Sequence, residues 1–267
     1  MKKSIRLWES DIPGYIDGAA IPTLHYFPAK EKNGDGCVLI FAGGAYKMRS
    51  AHEGEGYAEF LSNNGTDAFV LDYRVTPTRF PYPLLDARRA VRFIRANAKK
   101  YGIAPNKIAV MGSSAGGHLA ALLSTYKGKI DGEEVDELDE VNCIPNMQIL
   151  CYPVLDINGH TGSFLNLLGE NHPSHRNVTP YYLADSQTPP MFLWHTSTDP
   201  AVDINNSFRY AMRLHELNIP MEMHVYPCGG HGLGLANIDG KVLPYIQNWA
   251  DHLIKWLTYN KYSGENK

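Results

Sequence analysis

The chain has 267 residues, of which 44% are hydrophobic and 20% charged, with 16 tyrosines and a formal net charge of -3. That balance excludes a disordered chain, which is poor in aromatics and rich in charge. It also gives no basic field to attract nucleic acid, because the 25 Lys and Arg residues are scattered. The length fits one α/β unit with a large core, so residues 1–267 are read as a single domain.

From the N-terminus, residues 1–15 meet Arg6, Glu9 and Asp11 before any apolar segment accumulates, so no secretory leader is expected. No stretch reaches the roughly 20 apolar residues of a membrane span, and a cytoplasmic setting is the expectation. Cys37, Cys143, Cys151 and Cys228 lack the spacing of a disulfide scaffold and read as reduced and mostly buried. The alternating segments 5–8 and 23–27 suit antiparallel edge strands. Unbroken apolar runs follow at 37–42, 68–73, 108–112, 147–153, 191–195 and 221–227, as strands buried on both faces require. Helical patterns at 86–101, 114–126, 205–218 and 243–259 alternate with them, which predicts a mostly parallel, doubly wound sheet. Asp86 follows Pro81 and Pro83 and is placed to cap the first turn of its helix. Residues 127–143 form an acidic surface stretch. The connection 156–190 is long enough to be a candidate lid or pocket-forming insertion, with 163–168 as a short amphipathic roof. The last residues, 262–267, are expected to fray.

The chemistry centres on Gly112-Ser113-Ser114-Ala115-Gly116, a G-x-S-x-G frame between an apolar run and an Ala-rich helical stretch. In a nucleophile elbow the sharp strand-to-helix turn leaves no room for side chains two positions either side of the serine. Ser114 is therefore the candidate nucleophile. A serine hydroxyl needs a base, and the base needs a carboxylate to fix its tautomer. His231 sits in the open loop Gly229-Gly230-His231-Gly232 after the last strand, whereas His118, on the helix after Ser114, reads as a packing residue. Asp199, after the 191–198 segment, is the first choice for the acid, with Asp203 and Asp156 as competitors. The oxyanion needs preorganised amides. Ala115 supplies one, and Gly44 and Ala45, just past the strand at 37–42, supply the rest. Cys228 with His231 is a weak rival nucleophile, since no elbow or helix N-terminus supports it. His172 and His175 lack further ligands at metal spacing, and no glycine-rich segment has the pattern of a phosphate cradle, so neither metal nor nucleotide cofactor is expected.

These motifs resemble the carboxylesterase and acetyl esterase branch of the α/β-hydrolase superfamily, including bacterial acetyl xylan esterase-like proteins. The resemblance is carried by AGGAY at 42–46, Tyr73-Arg74 with Asp86, GSSAGGHLA at 112–120, TPPMFLWHTSTDP at 188–200 and GGHG at 229–232. It implies an α/β-hydrolase fold, a triad of Ser114, Asp199 and His231, and an oxyanion hole at Gly44, Ala45 and Ala115. It also implies a cofactor-independent serine esterase acting on a small ester, with short acyl groups on sugars or xylan-type oligosaccharides as the expected substrates. Tyr46 and the 156–190 connection would then shape the substrate pocket. Ala42 and Ala45 depart from the family's frequent His or Pro and Gly, and an alanine at 45 resists a positive φ. Formamidases of the same fold and noncatalytic ligand-binding relatives are the alternatives.

Overall fold

A computed structural model describes residues 2–8, 11–131, 133, 136–170, 175–238 and 241–264. Among the described residues, eight strands form one sheet: β1 (Lys3–Arg6), β2 (Thr23–Phe27), β3 (Cys37–Phe41), β4 (Asp67–Asp72), β5 (Ile108–Ser113), β6 (Met147–Cys151), β7 (Met191–Thr196) and β8 (Met221–Tyr226). Their spatial order is β1-β2-β4-β3-β5-β6-β7-β8. β3 to β8 run parallel, and the two N-terminal strands pair antiparallel at one edge. β1 begins two residues before its expected position.

Side-chain alternation divides the unbroken apolar runs between two cores. Leu39 and Phe41 of β3, Val110 of β5 and Leu193 of β7 enter one core. Val38 and Ile40, Met111, Phe192 and Trp194 enter the other. The first core is covered by α2 (Tyr82–Ala96), the short α3 (Ala98–Tyr101), α4 (Ala115–Thr125), the short α6 (Pro180–Leu183) and α7 (Asn205–Glu216), the second by α1 (Ala51–Asn63) and α8 (Pro244–Tyr259). Helices on both faces of a mostly parallel sheet give the doubly wound α/β architecture that the α/β-hydrolase resemblance implies. α1 was not legible in the sequence, because Gly54 and Gly56 weaken its helical pattern. Gly54 lets the helix sit close to β4: a Cβ there would come within 3.3 Å of Val70 Cγ1.

Asp86 does not cap a helix. α2 begins four residues earlier at Tyr82, because Pro83 in the first turn removes only an N–H that has no intrahelical partner. Asp86 is fully buried and grips Arg74, whose Nη2 lies 2.6 Å from Oδ1 and whose backbone N–H donates to Oδ2. Within 127–143, Glu133 pairs with Arg88 and Arg92, and Asp136 with Arg89, so these acids neutralise the arginines that α2 buries. Cys37 and Cys151 are buried, Cys143 is half-buried and Cys228 is exposed, all as free thiols. The expected fraying does not extend to Tyr262, which is buried and accepts from the Gly36 amide, nor to Gly264, whose amide donates to Asn33 O. Residues 265–267 lie outside the described residues.

Candidate active site

The C-terminal ends of the parallel strands converge where an open α/β sheet places its ligands. β5 delivers Ser114, the loop after β3 delivers Gly43 to Tyr46, the loop after β7 delivers Asp199, and the loop after β8 delivers His231. Ser114 adopts φ 52° and ψ -118°, a strained conformation that survives only where its surroundings over-determine it. Here its amide donates to Cys151 O, while its carbonyl accepts from the amides of His118 and Val154. The flanking glycines are obligatory on steric grounds. A Cβ on Gly112 would lie 2.1 Å from Gly116 O, and one on Gly116 would lie 2.1 Å from Phe41 O.

His231 Nε2 lies 2.8 Å from Ser114 Oγ, and its Nδ1 lies 2.7 Å from Asp199 Oδ2. A carboxylate can only accept, so Nδ1 carries the proton and Nε2 presents its lone pair to the serine hydroxyl. The Asp199 side chain is inaccessible to solvent. Burial alone would raise its pKa, but hydrogen bonds from His195, His231 and the amides of Val202 and Ala201 hold it well below the usual carboxylate range. The competing acids are engaged elsewhere. Asp203 Oδ1 accepts from the Asn205 amide, and Asp156 accepts from the amides of Asn158 and Gly159 and pairs with Arg209. His118 does not reach the serine: Nε2 donates to Val178 O at 2.7 Å, leaving Nδ1 to accept from Tyr46 Oη at 2.6 Å.

Among the described residues, no group accepts from the amides of Gly44 or Ala45, and Ala115, as the first residue of α4, has an N–H without an intrahelical partner. Gly44, Ala45 and Tyr46 all have positive φ, at 133°, 53° and 57°. Ala45 therefore does adopt the conformation that an alanine resists. The turn is held by Asn166 Nδ2 donating to Ala45 O and by the Thr76 amide donating to Tyr46 O.

A cavity of about 360 Å³ is bordered by Gly44, Ala45, Glu53, Ser114, His160 and His231. Tyr46 does not line it. The placement of Tyr46 in the substrate pocket is corrected: the ring is 1% exposed, and its positive φ turns it inward against His118 and Tyr73. A larger depression of about 560 Å³, lined by Arg6, Trp8, Asp11 and Tyr15 among others, contains none of these groups. In the 156–190 connection, α5 (Thr161–Leu168) packs down through Phe164 and Leu167. His160 caps α5 by accepting from the Ser163 amide and contributes a wall of the cavity.

Three side chains around the site were missed in the sequence. His195 Nε2 donates to Asp199 Oδ2 at 3.2 Å, while Nδ1 accepts from Ser207 Oγ at 2.9 Å. Its only signal was a histidine in an otherwise apolar strand, four residues before the acid. Glu53 and Tyr152 gave no signal, one inside an unrecognised helix and the other at the end of a strand. For metals, among the described residues Glu222, His224 and His252 bring ligand atoms within 4.8 Å of one another. The two imidazoles stack at 4.3 Å and 29°, and His224 Nε2 lies 2.7 Å from Glu222 Oε1. His172 lies outside the described residues.

The BD-FAE domain family matches residues 25–214. The chain belongs to the BD-FAE family. This BD-FAE chain is 40% identical to a solved acetyl ester-xyloside bifunctional hydrolase from Caldicellulosiruptor lactoaceticus. The match covers 98% of this chain and 97% of that one, with a TM-score of 0.90. It is 37% identical to endo-1,4-beta-xylanase B of Butyrivibrio fibrisolvens over 86% of its own length and 29% identical to an acetylxylan esterase of Xylanibacter ruminicola over 79%. It spans only 36% and 44% of those two proteins. The expected esterase branch of the α/β-hydrolases is thereby the correct one. No helix among the described residues is long and apolar enough to cross a membrane.

Proposed function

We propose that the BD-FAE chain is a serine carboxylesterase that removes short acyl groups, acetyl foremost, from esterified sugars of the xylan type. The observation that carries the reading is the continuous contact from Ser114 Oγ through His231 to Asp199, beside the amides of Gly44, Ala45 and Ala115. Ser114 Oγ attacks the ester carbonyl as His231 Nε2 takes its proton, and Asp199 stabilises the resulting imidazolium. The carbonyl oxygen, now negative, is met by the amides of Gly44, Ala45 and Ala115. Collapse breaks the acyl–oxygen bond, and His231 returns the proton to the departing sugar hydroxyl. Water, deprotonated by the same imidazole, then releases the acid and restores Ser114. The acetyl-ester and xylan relatives support a short acyl group carried on an acetylated sugar, and the cavity of about 360 Å³ beside Ser114 offers room for the ester. In this reading the 156–190 connection, through His160, forms one wall of the pocket.

The test is turnover of p-nitrophenyl acetate, longer acyl homologues, acetylated xylo-oligosaccharides and an N-formyl arylamine by wild type and Ser114→Ala. Wild type should prefer acetyl esters, with acetylated sugars as substrates, and Ser114→Ala should lose at least about a thousandfold in kcat while remaining folded. Near-wild-type turnover by Ser114→Ala rejects the nucleophile. A preference for the formanilide moves the activity to amide cleavage.

A further inference from the structure

We propose that Glu53 and Tyr152 are positioning residues, a strap that holds the oxyanion turn and the histidine loop in register around Ser114. The proposal rests on the serine hydrolase reading above.

Glu53 is 2% exposed, borders the catalytic cavity and, among the described residues, has no Lys or Arg at ion-pair distance. A carboxylate buried without a cation needs every hydrogen bond that it can collect, and active sites are where such groups concentrate. Glu53 Oε2 accepts from the Gly43 amide at 3.0 Å, one residue before Gly44, and Oε1 accepts from Tyr152 Oη at 2.6 Å. The same phenol oxygen accepts from the Gly234 amide at 2.9 Å, three residues after His231. Two loops from opposite ends of the chain are thus joined through one carboxylate and one hydroxyl.

Tyr152 also touches the base. Its ring meets His231 edge-on, with centroids 5.1 Å apart, and is braced from behind by Trp194 at 4.9 Å. This placement uses a positive φ of 36°, a strained conformation that persists only where the surroundings impose it. A Tyr57 hydroxyl 3.2 Å from Tyr152 Oη continues the network to Ser113 Oγ, next to the nucleophile. Beside Glu53, His52 Nε2 donates to Gly232 O at 2.9 Å. The N-terminal turn of α1 therefore grips the histidine loop on both sides of Leu233. It fixes the two parts of the site that must hold their spacing as charge moves from serine to carbonyl oxygen.

The experiment compares Tyr152→Phe, Glu53→Ala, Glu53→Gln and Ser114→Ala on p-nitrophenyl acetate. Active sites are counted with a fluorophosphonate, and folding is followed by thermal unfolding. Misplacement by a fraction of an ångström should lower kcat per titrated site by about tenfold to a hundredfold in Tyr152→Phe and Glu53→Ala, with KM within about twofold. Glu53→Gln should recover most of that loss, since its oxygen still accepts from Gly43 and its amide group can bond Tyr152 Oη. Should Glu53→Ala fail to fold, Tyr152→Phe decides. A kcat per titrated site within twofold of wild type in Tyr152→Phe overturns the strap. A loss confined to the titratable fraction also overturns it, as does Glu53→Gln no better than Glu53→Ala. Turnover surviving in Ser114→Ala overturns the serine hydrolase reading instead.

Discussion

His195 Nε2 lies 3.2 Å from Asp199 Oδ2, the same oxygen that faces His231 Nδ1 at 2.7 Å. One carboxylate oxygen thus serves two imidazoles, and the buried one, anchored by Ser207, fixes where the carboxylate stands for the other. Asp199→Asn should cut kcat/KM by on the order of 10⁴, because an amide favours the wrong imidazole tautomer. His195→Ala, which leaves the carboxylate in place but less constrained, should lose only about tenfold to a hundredfold. Asp203→Asn and Asp156→Asn should stay within about threefold of wild type. Steady-state kinetics on p-nitrophenyl acetate checks the order, and an inverted one reassigns the acid.

His118 gives the fold a pH dependence. Burial pushes its pKa down to about 4, with the Val178 carbonyl acting weakly in the opposite sense. The unfolded chain, with an ordinary histidine near 6.5, binds more protons across that interval. The contribution of neutral His118 is therefore complete above about pH 6.5 and is lost as the pH falls towards 4, with a ceiling of about 3 kcal/mol. Urea unfolding at pH 4.5 and 7.0 should show this loss in wild type and a smaller one in His118→Gln. Equal slopes would mean that the imidazole titrates normally in the native state.

The sheet and the triad were legible because each is written in local pattern. Buried parallel strands appear as unbroken apolar runs, and the elbow needs glycines at 112 and 116 for reasons of contact. What stayed hidden depends on distant partners. Asp86 looked like a cap because its mate Arg74 lies twelve residues away, and Pro81 and Pro83 just before Asp86 suggested a later helix start. Tyr46 looked like a pocket residue because it adjoins the oxyanion turn, yet after three successive positive φ values its side chain lies in the core. Glu53 and Tyr152 are ordinary in sequence and acquire meaning only when the residue just past β6 reaches the first turn of α1 beside the histidine loop.

The Arg74–Asp86 pair is 1% and 0% exposed, with Arg74 also stacked over Trp8 and Tyr82. Removing one partner strands a buried charge. Asp86→Ala should therefore destabilise the protein by about 3–5 kcal/mol, whereas Arg74→Met with Asp86→Leu should cost clearly less than the two single changes added together. Chemical denaturation of the full double-mutant cycle measures the coupling. Additive effects would mean that the pair is solvated or relaxed in solution.

Ala45 supplies the last case, where strain and function share a residue. At φ 53° an alanine carries a backbone penalty that glycine lacks, partly offset by glycine's greater freedom in the unfolded chain. Ala45→Gly should thus stabilise the protein by about 0.5–1 kcal/mol. It should leave kcat within about twofold, because the amide remains and the turn is still held through the Asn166 and Thr76 bonds. Ala45→Val, β-branched at a positive φ, should destabilise it by about 1–2 kcal/mol and lower kcat as the amide is displaced. Urea midpoints and esterase rates on the three proteins decide the matter. Unchanged stability in both variants would show that residue 45 leaves the left-handed region in solution, and the amide assigned to the oxyanion would then have to come from Gly44.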